Sequence, residues 1–142
     1  MGFEVDATLA YGIRLGFLSE DDFEFADDAV REAFEKEGLG EALLVAMGLD
    51  SSNYSEALEA VKNVGCELQW YGHHEYAGTA LIVSESSQWS YPNNTVNLER
   101  ALALQRVTAL DWSGMLDAVI DRLGITYPIG VPRGWLLLAS AG

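Results

Sequence analysis

The chain has 142 residues, and its 22 Asp and Glu against 8 Lys and Arg give a formal net charge of −14. This length is typical of one domain, and a hydrophobic content of 49% is enough to fill a core. The charge argues against nonspecific binding to DNA, RNA or anionic membranes, because these surfaces repel an acidic protein. We expect a single domain over residues 1–142.

The cysteine content and the first residues indicate the cytoplasm. Cys66 is the single cysteine, so the chain forms no internal disulfide and no cysteine-based zinc cluster, and such a cysteine is most often buried. Residues 1–9 lack the basic region of a signal peptide. The apolar run at residues 135–139 is far shorter than the ~20 residues of a spanning helix. We expect a soluble cytoplasmic protein.

The first segment alternates with a period of two, which predicts a long strand with one buried face. The apolar series is Phe3, Val5, Ala7, Leu9, Tyr11, Ile13 and Leu15. The opposite series is Glu4, Asp6, Thr8, Gly12 and Arg14.

An acidic segment follows, because residues 20–37 hold nine acids against two bases and so carry half of the net charge. Ser19 with Asp22 predicts a short capped turn, and Asp27 or Asp28 predicts the cap of a helix that ends at Gly38. We interpret residues 19–38 as an acidic helical insertion between the first two strands. The candidate partner-binding acids are Glu20, Asp21, Asp22, Glu24, Asp27, Asp28, Glu32 and Glu35.

The middle of the chain predicts three more strands and a helix. Residues 41–49 lie between two glycines in a run too short for a typical helix, which favours a strand. Residues 54–64 have helical apolar spacing and end at Gly65. Residues 66–71 and 79–84 predict a hairpin-like pair of strands.

The C-terminal part predicts a loop, two helices and a last strand. Residues 84–97 are polar and aromatic, as in a loop, and residues 98–110 form an apolar helix. Asp111 predicts the N-cap of a second helix that ends at Gly124. The prolines make residues 127–132 extended, and residues 134–139 read as a strand. The mixture predicts an α+β fold with a mostly antiparallel sheet of about five strands and helices on one face.

No motif in the sequence identifies a reaction. His73 and His74 are adjacent on an extended turn, so they point to opposite sides and do not share a metal ion. Phosphate-binding glycine motifs and a nucleophile elbow are missing from the sequence. We therefore expect no catalytic residues, no metal and no cofactor, and a protein that is not an enzyme.

Aromatic residues are concentrated around the predicted hairpin and the loop after it. Large aromatics usually fill cores, but Trp and Tyr are also frequent at binding hot spots. The candidate ligand or interface residues are Trp70, Tyr71, His73, His74, Tyr76, Trp89 and Tyr91. Basic residues are scarce there, which disfavours an anionic ligand.

The overall layout resembles small accessory proteins of bacteriophages. The resemblance lies in residues 9–15 (LAYGIRL), the central aromatic hairpin, and residues 132–135 (PRGW) before the final strand. Strongly acidic phage accessory proteins include inhibitors of host defence, among them anti-CRISPR proteins, and some of these mimic DNA. The resemblance implies a role in the cytoplasm of the host cell. Because the acids here are concentrated in one segment, duplex mimicry is disfavoured.

Three hypotheses of function follow, and they rank above a fourth, an enzyme that uses His73 or His74 as a base. The first is an inhibitor whose acidic segment docks on a basic site of a host nucleic-acid-handling protein. The second is a binding protein for a small ligand or nucleotide signal that uses the aromatic hairpin at residues 70–91. The third is a housekeeping phage protein whose acidic face is only solvating. A homodimer formed through the last strand or the Trp-bearing loop is left open.

Overall fold

The computed structural model describes residues 5–14, 24–72, 78–90, 95–126 and 133–141. Over these ranges the chain has four α-helices, two 3-10 turns and seven strands, and five of the strands form one antiparallel sheet. The predicted α+β fold class is confirmed. In chain order the elements are β1 (Val5–Ile13), β2 (Glu24–Phe25), α1 (Asp28–Glu37), α2 (Leu39–Met47), α3 (Tyr54–Asn63), β3 (Cys66–Tyr71), β4 (Gly78–Val83), β5 (Gln88–Ser90), α4 (Leu98–Leu123), β6 (Ile125–Thr126) and β7 (Gly134–Ala141).

Strand β1 is the centre of the main sheet. It pairs with β7 along one edge, and with β4 and β5 along the other, where the 3-10 turn Ser84–Ser86 separates the two partners. β3 pairs with β4 at the far edge. The amide of Gly72, just after β3, nevertheless donates a 2.7 Å hydrogen bond to the Ala139 carbonyl of β7. The sheet therefore curls until its two outer strands meet.

Each face of the curled sheet covers its own apolar cluster. The larger cluster contains Tyr11, Ile13 and Leu81 of the sheet and lies against α1, α2, α3 and α4. The smaller cluster lies on the opposite face around Ala10 and Ile82. The expectation that β1 has one buried face was therefore wrong, because the curl of the sheet encloses the second face as well.

Two segments have a different type of secondary structure from the predicted one. Residues 41–49 are not a strand, because α2 begins earlier, at Leu39, and its buried side chains Leu39, Ala42 and Leu43 recur with helical spacing. The predicted loop at residues 84–97 contains β5, which pairs with β1. In both cases a short segment is specified by the neighbours it contacts rather than by its own pattern.

The two predicted C-terminal helices are one continuous helix, α4. Asp111 is exposed and lies inside this helix, so Asp111 is not an N-cap. The N-cap is Asn97, whose side chain accepts a 3.0 Å hydrogen bond from the Arg100 amide. Neither glycine nor proline interrupts the chain at Asp111, and the buried residues Trp112 and Leu116 continue the helical stripe.

The remaining predicted elements are confirmed where the structure describes them, except that the segment predicted as an acidic helical insertion also contains strand β2, which pairs with β6. Helix α1 has Asp27 as its N-cap and ends at Gly38, and α3 and the β3–β4 hairpin have the predicted positions. β7 extends the predicted last strand to Ala141. The predicted turn at Ser19–Asp22 and the extended residues 127–132 lie outside the described residues.

Ser86 fastens the 3-10 turn to β1. Its buried hydroxyl accepts a 2.9 Å hydrogen bond from the Tyr11 amide and donates a 2.6 Å hydrogen bond to the Val83 carbonyl. We expect Ser86→Ala to lower the free energy of unfolding by about 1–3 kcal/mol, because the Tyr11 amide loses its partner inside the protein. Urea unfolding measures this loss. Ser87→Ala is the control, and a loss no larger than that of Ser87→Ala contradicts the assignment.

Cys66 lies in the larger cluster, as the sequence predicted for a lone cysteine, and burial raises the pKa of its thiol from 9.0 to about 12. Because the pKa is higher in the folded than in the unfolded state, the thiol favours the folded state below about pH 9. That advantage is lost as the pH rises from about 9 to about 12. We expect the stability of the wild type to fall more steeply over this range than that of Cys66→Ala. Parallel slopes in urea unfolding would refute this assignment.

Candidate functional site

Helix α1 presents part of the acidic segment to solvent. Asp28, Glu32 and Glu35 are exposed and follow one another at i, i+4 and i+7, so they share one side of the helix. We call these three residues the acidic face. Arg31 pairs with Asp28 at 3.2 Å, and Lys36 pairs with Glu32 at 2.6 Å. The hydrogen bond from Lys36 holds the pKa of Glu32 below its usual value.

The other predicted acids have different positions. Asp27 caps α1, and its side chain accepts a 2.8 Å hydrogen bond from the Ala29 amide. Glu24 is exposed on β2, which pairs with β6. Glu20, Asp21 and Asp22 lie outside the described residues. Among the predicted acids that the structure describes, Asp28, Glu32 and Glu35 lie together, whereas Glu24 and Asp27 have other positions.

Glu37 lies on a different side of α1 from the acidic face. It follows the buried Val30 at i+7 and the half-buried Phe34 at i+3, so it is on the side that packs against the protein body. At the end of α1 the chain turns through Gly38, whose φ of 95° favours glycine, and α2 begins at once. This turn places Glu37 and Glu41 around the same opening.

That opening is a cleft between the α1–α2 turn, the start of α3 and the β3–β4 hairpin. Its cavity volume is about 170 Å³, and we call it the acidic cleft. The lining residues are Glu37, Gly38, Leu39, Gly40, Glu41, Tyr54, Leu68, Trp70 and Thr79. It combines two carboxylates, two aromatic side chains and a hydroxyl in one concave surface.

The cleft depends on a close approach between α2 and α3. A Cβ atom built on Gly40 would lie 2.8 Å from the Tyr54 hydroxyl oxygen and 2.9 Å from its ring. The missing side chain at Gly40 therefore lets the Tyr54 ring lie against the first turn of α2. Trp70 and Thr79 are directly paired across β3 and β4, so their side chains share the sheet face that looks toward the helices.

The structure divides the predicted aromatic set between the two faces of the sheet. Trp70 is 62% exposed and lies on the helix side, whereas its neighbour Tyr71 is buried in the smaller cluster on the opposite side. Trp89 pairs with Thr8 and therefore shares that opposite side. Arg14 lies over the Tyr71 ring, 5.6 Å from its centroid. His73, His74, Tyr76 and Tyr91 lie outside the described residues.

A second surface is apolar and lies near the last strand. Leu137 of β7 is 69% exposed, and Leu98 and Leu102 of α4 are exposed as well. The Trp135 indole donates a 2.8 Å hydrogen bond to the Gln105 side chain, which fastens β7 to the same helix.

Neither a metal centre nor a membrane span is apparent in the part of the chain that the structure describes. No three or more His, Cys, Asp or Glu side chains are grouped there so as to hold a metal ion. Among the same residues, no helix has the length and apolar character that crossing a membrane requires.

Four residues of the acidic cleft were missed as site residues from the sequence. Glu37 was counted among the acids but not selected, and Glu41 was assigned to a strand. Tyr54 and Thr79 carried no signal, because only the packing of α2, α3 and the hairpin brings them to Trp70. Comparison of the chain with protein-family models, curated proteins and solved structures found no match.

Proposed function

We propose that this protein is a non-enzymatic binding protein that docks on a basic site of another protein. The observation that carries the proposal is the position of one α1 carboxylate beside an exposed tryptophan: Glu37 and Trp70 line the same acidic cleft. Carboxylates steer a basic partner toward the surface, and an exposed tryptophan supplies the contact area of a binding hot spot.

The proposed class of partner is a host protein that handles nucleic acid, such as a component of a defence system. Basic grooves that attract phosphates are common in such proteins, and a surface of the opposite charge can occupy them. A net charge of −14 supports this choice, because it favours a basic partner over direct contact with nucleic acid. This role is the one that the phage resemblance implies.

Affinity capture from a bacterial lysate with charge-reversed variants tests the proposal. Glu32→Lys with Glu35→Lys reverses the acidic face, and Glu59→Lys with Asp121→Lys makes the same change in charge at exposed positions on α3 and α4. We expect the wild type and the control variant to capture a nucleic-acid-binding protein at 50 mM salt. The face variant should capture at least ~10-fold less of it, and capture should weaken at 300 mM salt.

The captured protein must also release its nucleic acid when this protein is added. Equal capture by the two variants, capture that salt leaves unchanged, or capture of no nucleic-acid-binding protein would each refute the proposal. In those cases the acidic face is only solvating.

A further inference from the structure

The acidic cleft contains the hydroxyl group of a threonine from the β3–β4 hairpin. Thr79 is 8% exposed and lines the cleft. Its hydroxyl oxygen can accept a hydrogen bond from a polar ligand group in the cleft.

Trp70 gives the cleft an aromatic surface that solvent reaches. It is 62% exposed, although it is the direct cross-strand neighbour of the buried Thr79. An aromatic face attracts a cation through the negative charge of its π system, and tryptophan does so more strongly than tyrosine or phenylalanine.

Glu37 and Glu41 set the charge of the ligand. Both line the cleft, and neither forms a salt bridge within the described part of the chain. All of its other lining side chains are uncharged, so the site favours a cation over an anion. The cavity of about 170 Å³ is also smaller than the ~300–1,000 Å³ of pockets that enclose drug-sized ligands. This size suits one side chain better than a nucleotide.

We propose that the acidic cleft binds the guanidinium group of one arginine side chain presented by the protein partner. The inference rests on the proposed function and deepens it, because it names the group that the partner inserts. A guanidinium stacks on an aromatic face, donates to carboxylates in a fork, and has further N–H groups for an acceptor such as the Thr79 hydroxyl. A lysine ammonium is a compact, strongly hydrated charge that does not match the flat indole as well.

The test is an NMR titration of the whole protein with N-acetyl-arginine methylamide. The indole N–H signal of Trp70, assigned with Trp70→Phe, and the amide signal of Gly40 report binding. We expect saturable shifts of both signals with the arginine probe. The citrulline analogue, which has nearly the same shape without the charge, should bind at least ~10-fold more weakly, and the lysine analogue and spermidine at least ~3-fold more weakly.

Variants locate the site. Glu37→Gln with Glu41→Gln should weaken arginine binding ~10-fold, and Trp70→Ala and Thr79→Val should weaken it at least ~3-fold, as followed at Gly40. Two matched controls should leave arginine binding unchanged: the single variant Trp89→Ala and the double variant Glu56→Gln with Glu59→Gln. Three outcomes would overturn the proposal: shifts with the arginine probe that do not saturate, equal binding of citrulline or spermidine, or equal effects of the cleft and control variants.

The two proposals fail separately. If Trp70→Ala captures the partner as well as the wild type while the reversed acidic face does not, charge-driven docking stands and the arginine site is wrong. If the arginine probe binds the cleft but no basic partner is captured, the proposed function is wrong and the cation site remains.

Discussion

Replacement of Trp112 by alanine is expected to lower the free energy of unfolding by about 3–5 kcal/mol. The side chain is fully buried, and its ring lies 5.4 Å from the Tyr11 ring and 5.7 Å from the Trp135 ring, measured between centroids. Its indole N–H donates to the Glu85 carboxylate. Trp112 thus joins α4 to β1, β7 and the 3-10 turn, and its loss is large against a typical total of ~5–15 kcal/mol.

Urea unfolding followed by circular dichroism measures this effect, and Trp70→Ala is the matched control. Trp70 is mostly exposed, so its truncation should change the stability by no more than ~0.5 kcal/mol. Trp112→Phe keeps most of the ring volume but loses the hydrogen bond to Glu85, and we expect a loss between the two. Similar unfolding midpoints for Trp112→Ala and Trp70→Ala would contradict the central place of Trp112 in the core.

Replacement of Gly12 by alanine is the second change with a large expected effect, about 3 kcal/mol of lost stability. A Cβ atom at Gly12 would lie 2.2 Å from the Leu81 carbonyl oxygen and 2.9 Å from the Ile82 Cα. Both are backbone atoms of β4, so no side-chain rotation relieves the clash. The β1–β4 pair must separate locally.

Gly134 is the matched control for Gly12. It is the cross-strand partner of Gly12 on β7, yet a Cβ atom there would meet nothing within 4 Å. We expect Gly134→Ala to leave the stability unchanged or raise it slightly, since alanine restricts the unfolded chain. Hydrogen exchange at Ile82 and chemical denaturation compare the two variants. Equal stability of both variants would show that β1 and β4 are not as close as described.

Much of the fold follows from local patterns in the sequence. The alternation in β1, the caps of α1 and the glycine after α3 each specify an element through nearby residues, and these elements were predicted correctly. Residues 41–49 were misassigned because nine residues between two glycines satisfy either a strand or a helix. Asp111 has the chemistry of an N-cap, but the packing of α4 against the sheet keeps the helix continuous.

The acidic cleft was less predictable than the fold. Trp70 and the acidic segment were both selected from the sequence, but as separate sites. Their meeting depends on the α1–α2 turn at Gly38 and on the contact between Gly40 and Tyr54, which are tertiary features. The predicted aromatic set is divided for a local reason. Successive residues of a strand point to opposite faces of the sheet, and this separates Trp70 from Tyr71.

The most direct test of the proposed docking site is a chemical-shift map of the isotope-labelled protein bound to the captured basic partner. We predict that the largest changes occur at Glu37, Gly40 and Trp70 around the acidic cleft, and that they disappear when salt releases the partner. If the largest changes occur instead at Leu98, Leu102 and Leu137, they contradict the proposed docking site, because they place the partner on the apolar surface beside the last strand.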